Sequence, residues 1–148
     1  MPLATKARPI WEDRFARPSA DVLLAEIPKP TLGLVSTLRD GFLAHEGMAE
    51  ELAWQGIPWR WAFAFSLGGR VVAYIVPNPL RPVACIPVPA GVLTASASKK
   101  LSKPARDVIR FAPSIGGVQW PQWDITSKAL TDELATLVRI VLEAPVPV

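Results

Sequence analysis

Residues 59–76 read Trp59-Arg60-Trp61-Ala62-Phe63-Ala64-Phe65-Ser66-Leu67-Gly68-Gly69-Arg70-Val71-Val72-Ala73-Tyr74-Ile75-Val76, and this stretch decides the fold. Trp59, Trp61, Phe63 and Phe65 take the odd positions, while Arg60, Ala62, Ala64 and Ser66 take the even ones. Side chains alternate between faces along a strand, so the pattern predicts a strand over 59–67 with its aromatics on one face. Gly68-Gly69 is a hairpin signal, because both central positions of a type I′ turn need positive φ and glycine adopts it without strain. The chain returns as Arg70 to Val76, apolar on both faces and therefore expected at the centre of a sheet.

Working outward, Glu50 to Gln55 reads as the preceding strand, joined through Gly56-Ile57-Pro58. Pro77-Asn78-Pro79 and Pro82 form the next turn, and Val83 to Val88 a fourth strand. Pro87 has no N–H for a ladder, which puts that strand at an edge or ends it early. Upstream, Ser19 caps a short helix through Val22, Leu23, Leu24 and Glu26 that Pro28 stops. Thr31 then caps a longer helix with Leu34, Val35, Leu38 and Phe42 on one face, closed by Gly47. Downstream, Ala90 to Leu101 and Pro104 to Phe111 read as helices, and Gly116-Gly117 opens a strand over Val118 to Ile125 carrying Trp120 and Trp123. Thr131 caps a last helix whose Leu134, Leu137, Val138, Val141 and Leu142 form a stripe up to Pro145. The predicted fold is α+β: an antiparallel meander sheet of about five strands with helices packed mainly on one face. Residues 1–17 read as an irregular arm that docks Ile10, Trp11 and Phe15, and residues 18–148 as a single domain.

Half of the 148 residues are hydrophobic and a fifth are charged, a composition that supports one domain with a real core. Cys85 is the single cysteine, which rules out an internal disulfide scaffold. The first residues contain no apolar segment of leader length, and the longest apolar run, Val71 to Val76, is too short to cross a bilayer. A cytoplasmic protein with no membrane association is expected. The net charge of +3 is mild, but Lys99, Lys100, Lys103, Arg106 and Arg110 face only Asp107 between positions 99 and 110. Such a cluster is either the solvated side of a helix or a face for anions.

Glu50-Glu51-Leu52-Ala53-Trp54-Gln55-Gly56, followed by Trp61 and by Val71 to Pro77, resembles a bacterial family of unknown function, the DUF3788-like proteins. Glu50, Glu51, Trp54, Gly56, Trp61 and Pro77 match the family pattern, while Leu52 stands where the family has Trp and Arg60 where it has Gly. The likeness spans roughly residues 18 to 143. The small bacterial proteins built like the YdhG family are similar in their helix-then-meander layout. Both resemblances imply the α+β fold and neither implies an activity.

His45 is the only histidine and sits near a helix end, where its ring favours the helix C-terminus. A His45–Cys85 dyad would join two different elements, and a cysteine in an apolar strand is usually a small hydrophobe. One histidine and one cysteine do not make a zinc site, and no glycine run has phosphate-loop spacing, so no metal and no cofactor are expected. Glu50 and Glu51 point to opposite faces, and one of them could meet Arg60 or Arg70 across the sheet. Without an acid–base or nucleophile constellation, enzyme activity is the least supported reading. Trp54, Trp59, Trp61, Trp120 and Trp123 all fall on predicted strands; two or three, Trp61 first, are expected in the core, and the rest line a cleft between sheet and helices with Arg60 or Arg70 at its rim, or form a surface for a partner. The first expectation is thus a binding or accessory module for a small molecule or a protein partner. The alternative is a nucleic-acid or anion binder acting through Lys99, Lys100, Lys103, Arg106 and Arg110. The oligomeric state is not written in the sequence.

Overall fold

The computed structural model describes residues 10–144, and its main sheet grows from the hairpin at Gly68-Gly69. Both glycines have positive φ, +58° and +80°, as the turn demands. They join β2 (Trp61–Leu67) to β3 (Arg70–Val76), and the register shifts between Phe65 and Ser66. β1 (Ala49–Trp54), β4 (Val83–Cys85) and β8 (Gln122–Asp124) complete an antiparallel sheet in the order β1-β2-β3-β4-β8, with β3 at its centre. A small second sheet pairs β5 (Val88–Pro89), β7 (Val118–Gln119) and β6 (Ser114–Ile115) in the order β5-β7-β6. The protein is α+β, with five α-helices around these sheets among the described residues.

The helices follow local chemistry. Ser19 accepts the Val22 N–H to cap α1 (Ala20–Ala25). α2 (Lys29–Leu43) begins two residues before the expected Thr31 cap, because Pro30 fits a first turn where its missing N–H costs nothing. α5 (Lys128–Glu143) likewise starts earlier than expected: Ser127 is its cap, and Thr131 is buried in the first turn with its hydroxyl on the Lys128 carbonyl. Pro145, the expected stop, lies outside the described residues. The expected helix over 90–101 shrinks to α3 (Ala95–Ser98), since Gly91 takes a φ of +83° and turns the chain before it. α4 (Lys103–Arg110) is capped by Ser102.

Cross-strand register assigns the two sheet faces. Phe63, Ile75, Ala84 and Trp123 lie in one row across β2, β3, β4 and β8. Trp61, Phe63 and Phe65 are buried on this face, where Phe42 of α2 meets Phe65 edge-on at 5.1 Å. α2 and α5 pack on each other and on β3. A Cβ on Gly41 would stand 3.2 Å from that of Ala135, so glycine permits this close approach. Ala62, Ala64 and Cys85 are buried too, so β2 and β4 are covered on both faces, and Ala62 and Ala64 are not the solvent side of β2. No helix among the described residues is long and apolar enough to cross a membrane.

Further expectations are corrected. Trp59 is not on β2: Arg60 has a φ of +57°, and residues 55–60 form a connection closed by the Gln55 N–H on the Arg60 carbonyl at 2.7 Å. The strand expected over 83–88 splits at Ile86-Pro87 into β4 and β5; of the two outcomes expected for Pro87 the early end is the one found, and β4 itself is interior. The strand expected over 118–125 splits at Trp120-Pro121 for the same reason, and Gly116-Gly117 turns a β6–β7 hairpin. Within the arm Trp11 is buried and Ile10 half-buried, whereas Phe15 is 91% exposed and does not dock.

Candidate functional site

The face of the sheet away from α2 and α5 carries a second aromatic row. Tyr74 stands beside Ala64 and Cys85 on that face, with the Trp59 ring at 5.0 Å and the Trp120 ring at 6.3 Å. All three rings are half-buried. Beside Trp59 lies a hollow of about 280 Å³. Its floor is Val76 and Val83, neighbours in one row across β3 and β4 that ends at Asp124 on β8. Gln122, two residues before Asp124, shares its face and joins the same wall. The β3–β4 turn adds Asn78 and Arg81, and the Arg81 guanidinium donates to Asp124 at 2.7 Å. That bond holds the Arg81 pKa further above its ordinary value. Asn78 shapes the turn itself, its side-chain oxygen accepting the Leu80 N–H at 3.0 Å.

Trp11, Pro58 and Trp59 form the opposite wall. The Trp11 indole N–H donates to the Trp59 carbonyl at 3.1 Å, which ties the 3₁₀ turn Ile10–Glu12 to the 55–60 connection. Arg60 locks the junction: its guanidinium lies 4.9 Å from the Trp11 ring centroid and bonds Glu12 at 2.8 Å. The left-handed backbone at Arg60, uncommon for a residue other than glycine, is what presents Trp59 to the hollow instead of continuing β2. Four stretches distant in sequence therefore converge here, with indole on one side and amide, guanidinium and carboxylate on the other.

The residues expected to share one cleft are distributed. Trp61 and Trp123 are core, 6% and 4% exposed, and Trp61 donates its N–H to the Asp13 carbonyl at 2.7 Å. Trp54 stacks edge-on against Trp61 at 5.7 Å and borders a separate hollow with Arg60 and Phe15. Arg70 and Trp120 line a third, mostly apolar hollow of about 310 Å³. Only Trp59 of the expected set reaches the hollow described above. Arg60 supports it from behind, paired with Glu12 and not with Glu50 or Glu51. Glu50 instead takes a bidentate bond from Arg39 of α2, one arm at 2.6 Å. Trp11, Asn78, Arg81, Gln122 and Asp124 went unrecognised as site residues. The only signal for them was the polar content of the proline-rich turn and the strand parity of 122 and 124.

The basic cluster also divides. Lys103, Arg106 and Arg110 line one groove of about 520 Å³ between α4 and the β5–β7 ladder. Lys100 borders a neighbouring hollow with Ile140 and Glu143, and Lys99 is an exposed helix end.

Cys85 is buried on an interior strand, and burial pushes its thiol up to about 12. Burial likewise raises the Tyr74 phenol, with the nearby Cys85 adding to it. Among the described residues no three His, Cys, Asp or Glu side chains gather as a metal-binding group. No protein-family model matches the sequence, and no curated protein is significantly similar to it.

Proposed function

We propose that the protein is a small cytoplasmic binding or accessory module whose ligand occupies the hollow between Trp59 and the Arg81–Asp124 pair. The observation that carries this reading is the convergence of Trp11, Trp59, Asn78, Arg81, Gln122 and Asp124 on one cavity from four separate stretches of chain. The pocket's volume of about 280 Å³ lies just below the ~300–1,000 Å³ usual for small-molecule sites, which suits a small ligand. A planar, polar molecule of metabolite size matches its chemistry. Its ring would lie against Trp59, its acceptor or anionic group on Arg81, and its donor on Asp124. Binding without catalysis is supported by the state of the one thiol, which is buried and protonated at neutral pH, and by the engagement of Asp124 with Arg81. The residues that carry the resemblance to the DUF3788-like proteins, Glu50, Trp54 and Trp61 among them, hold α2 and the arm to the sheet, so that resemblance bears on the fold and not on the ligand.

The test is a thermal-shift screen with planar nitrogen heterocycles, including adenine and nicotinate, at millimolar concentration. A ligand at about 100 times its Kd stabilises the native state by ~2.7 kcal/mol. At least one compound should raise the melting temperature of the parent and leave R81A and Q122A unmoved. A screen with no stabilising compound, or a shift that survives in R81A, overturns the proposal.

A further inference from the structure

We propose a second site, independent of the hollow at Trp59: the groove between α4 and the β5–β7 ladder binds the phosphodiester backbone of a single-stranded nucleic acid. Lys103, Arg106 and Arg110 stand at helical positions i, i+3 and i+7, which puts them on one face of α4. The other face is core, with Ala105 and Ile109 buried at i and i+4 spacing. The cationic face opens on the groove, whose far side is Val88, Pro89, Gly91 and Gln119. Among the described residues Asp107 is the only carboxylate lining it, and it meets Lys103 at 3.4 Å in a solvent-exposed pair. Arg106 and Arg110 enter no ion pair among the described residues.

This arrangement works against the helix that carries it. Arg106 and Arg110 are like charges at i and i+4, a spacing that destabilises a helix. Lys103 is the first residue after the Ser102 cap, at the positive end of the helix dipole, and its charge is offset from outside the first turn, by Asp107 at i+4 and by Glu133 of α5, which accepts the Ser102 N–H and hydroxyl. Arg110 gains from its place at the helix C-terminus, but the Arg106–Arg110 repulsion meets no ion-pair partner among the described residues. An anion with several charges relieves that repulsion when it binds.

The surroundings specify which anion. Phe111, directly after Arg110, is 76% exposed, and the Arg110 guanidinium lies 5.3 Å from its ring centroid. Ile115 on the adjacent β6–β7 hairpin is 69% exposed. A cationic groove with an exposed aromatic ring at its end is how single strands are held: phosphates on the cations, a base on the ring. The concavity of the groove favours a strand over a flat bilayer surface, which the same residues would otherwise suit.

The experiment is fluorescence anisotropy of the full chain with labelled 12-mers of oligo-dT and oligo-U at 50 and 200 mM salt. Three cations release counterions with a log–log slope of about −2 at roughly −0.7 per phosphate, so affinity should fall about twentyfold between the two salts. R106A/R110A should weaken binding at least tenfold at 50 mM and flatten the slope to about −0.7. F111A should weaken it at least fivefold while keeping the slope, since stacking releases no counterions. K128A, altering an exposed cation on another helix, should leave both unchanged. A preference between the two oligomers identifies DNA or RNA as the source of the backbone. No complex at 50 mM salt, equal binding by R106A/R110A, or binding of phosphatidylserine vesicles without binding of either oligomer overturns the proposal.

Discussion

Replacing Trp61 by alanine tests whether the second aromatic of the deciding stretch is structural. Trp61 is 6% exposed, donates its indole N–H to the Asp13 carbonyl and packs edge-on against Trp54. A buried tryptophan removes roughly 200 Å² from water, worth about 5 kcal/mol at ~25 cal/mol per Å². Alanine retains a small part of that and leaves a cavity, so a loss of about 3–5 kcal/mol is expected. The orphaned carbonyl adds about 1 kcal/mol unless water reaches it. Against a total of ~5–15 kcal/mol for such a domain, the variant is severely weakened. Trp61→Phe keeps the ring contact but loses the bond to Asp13, so about 1–2 kcal/mol is expected. Urea denaturation reads both, and the midpoint should fall in the order parent, W61F, W61A at nearly constant slope. A W61A midpoint equal to the parent's would refute the core assignment, and equal losses for W61F and W61A would refute the partition between packing and hydrogen bond.

Gly68→Val should destabilise by more than 1 kcal/mol and Gly68→Asn by clearly less; since no atom lies within 4 Å of an added Cβ, the φ of +58° alone sets the cost, and thermal denaturation checks the order. Glu50→Ala should cost about 1–3 kcal/mol in the same assay, because Arg39 loses a charged bidentate partner in a half-buried setting. Cys85 gives a pH signature: its folded pKa is raised from 9.0 to about 12 by burial, so the native state keeps a proton that the unfolded chain releases. Stability from this group is complete below pH 9 and declines as pH rises from about 9 to about 12, by at most ~1.4 kcal/mol per pH unit. Cys85→Ala should show a shallower alkaline decline in urea titrations run from pH 8 to 11. Arg81→Ala should leave stability within about 0.5 kcal/mol of the parent in the same urea assay, since the Arg81–Asp124 pair is solvent-exposed.

The sheet was legible because its signals are local. Alternation at Trp61, Phe63 and Phe65 and the Gly68-Gly69 turn each depend on a few adjacent residues, and β1 to β4 follow in order. What escaped depends on context that a pattern does not carry. Trp59 fits the alternation, yet Arg60 breaks from it because the Arg60 side chain is held by Glu12 and Trp11, 48 residues earlier and more. Pro87 admits an edge strand or an early end, and only the pairing of β8 beside β4 decides between them. The hollow at Trp59 was illegible for the same reason. Its polar wall is assembled by a sheet closure between residues 83–85 and 122–124, which no spacing in the sequence announces.

The central claim is that a ligand lies between Trp59 and Arg81, and the six indole N–H signals of the chain address it directly. In a ¹H–¹⁵N correlation spectrum titrated with the heterocycle that most raises the melting temperature, the Trp59 and Trp11 signals should move together and saturably. Trp61 and Trp123, on the helix-covered face of the sheet, should stay in place. Movement confined to Trp54 or Trp120, or a titration in which no indole signal moves, would contradict the account.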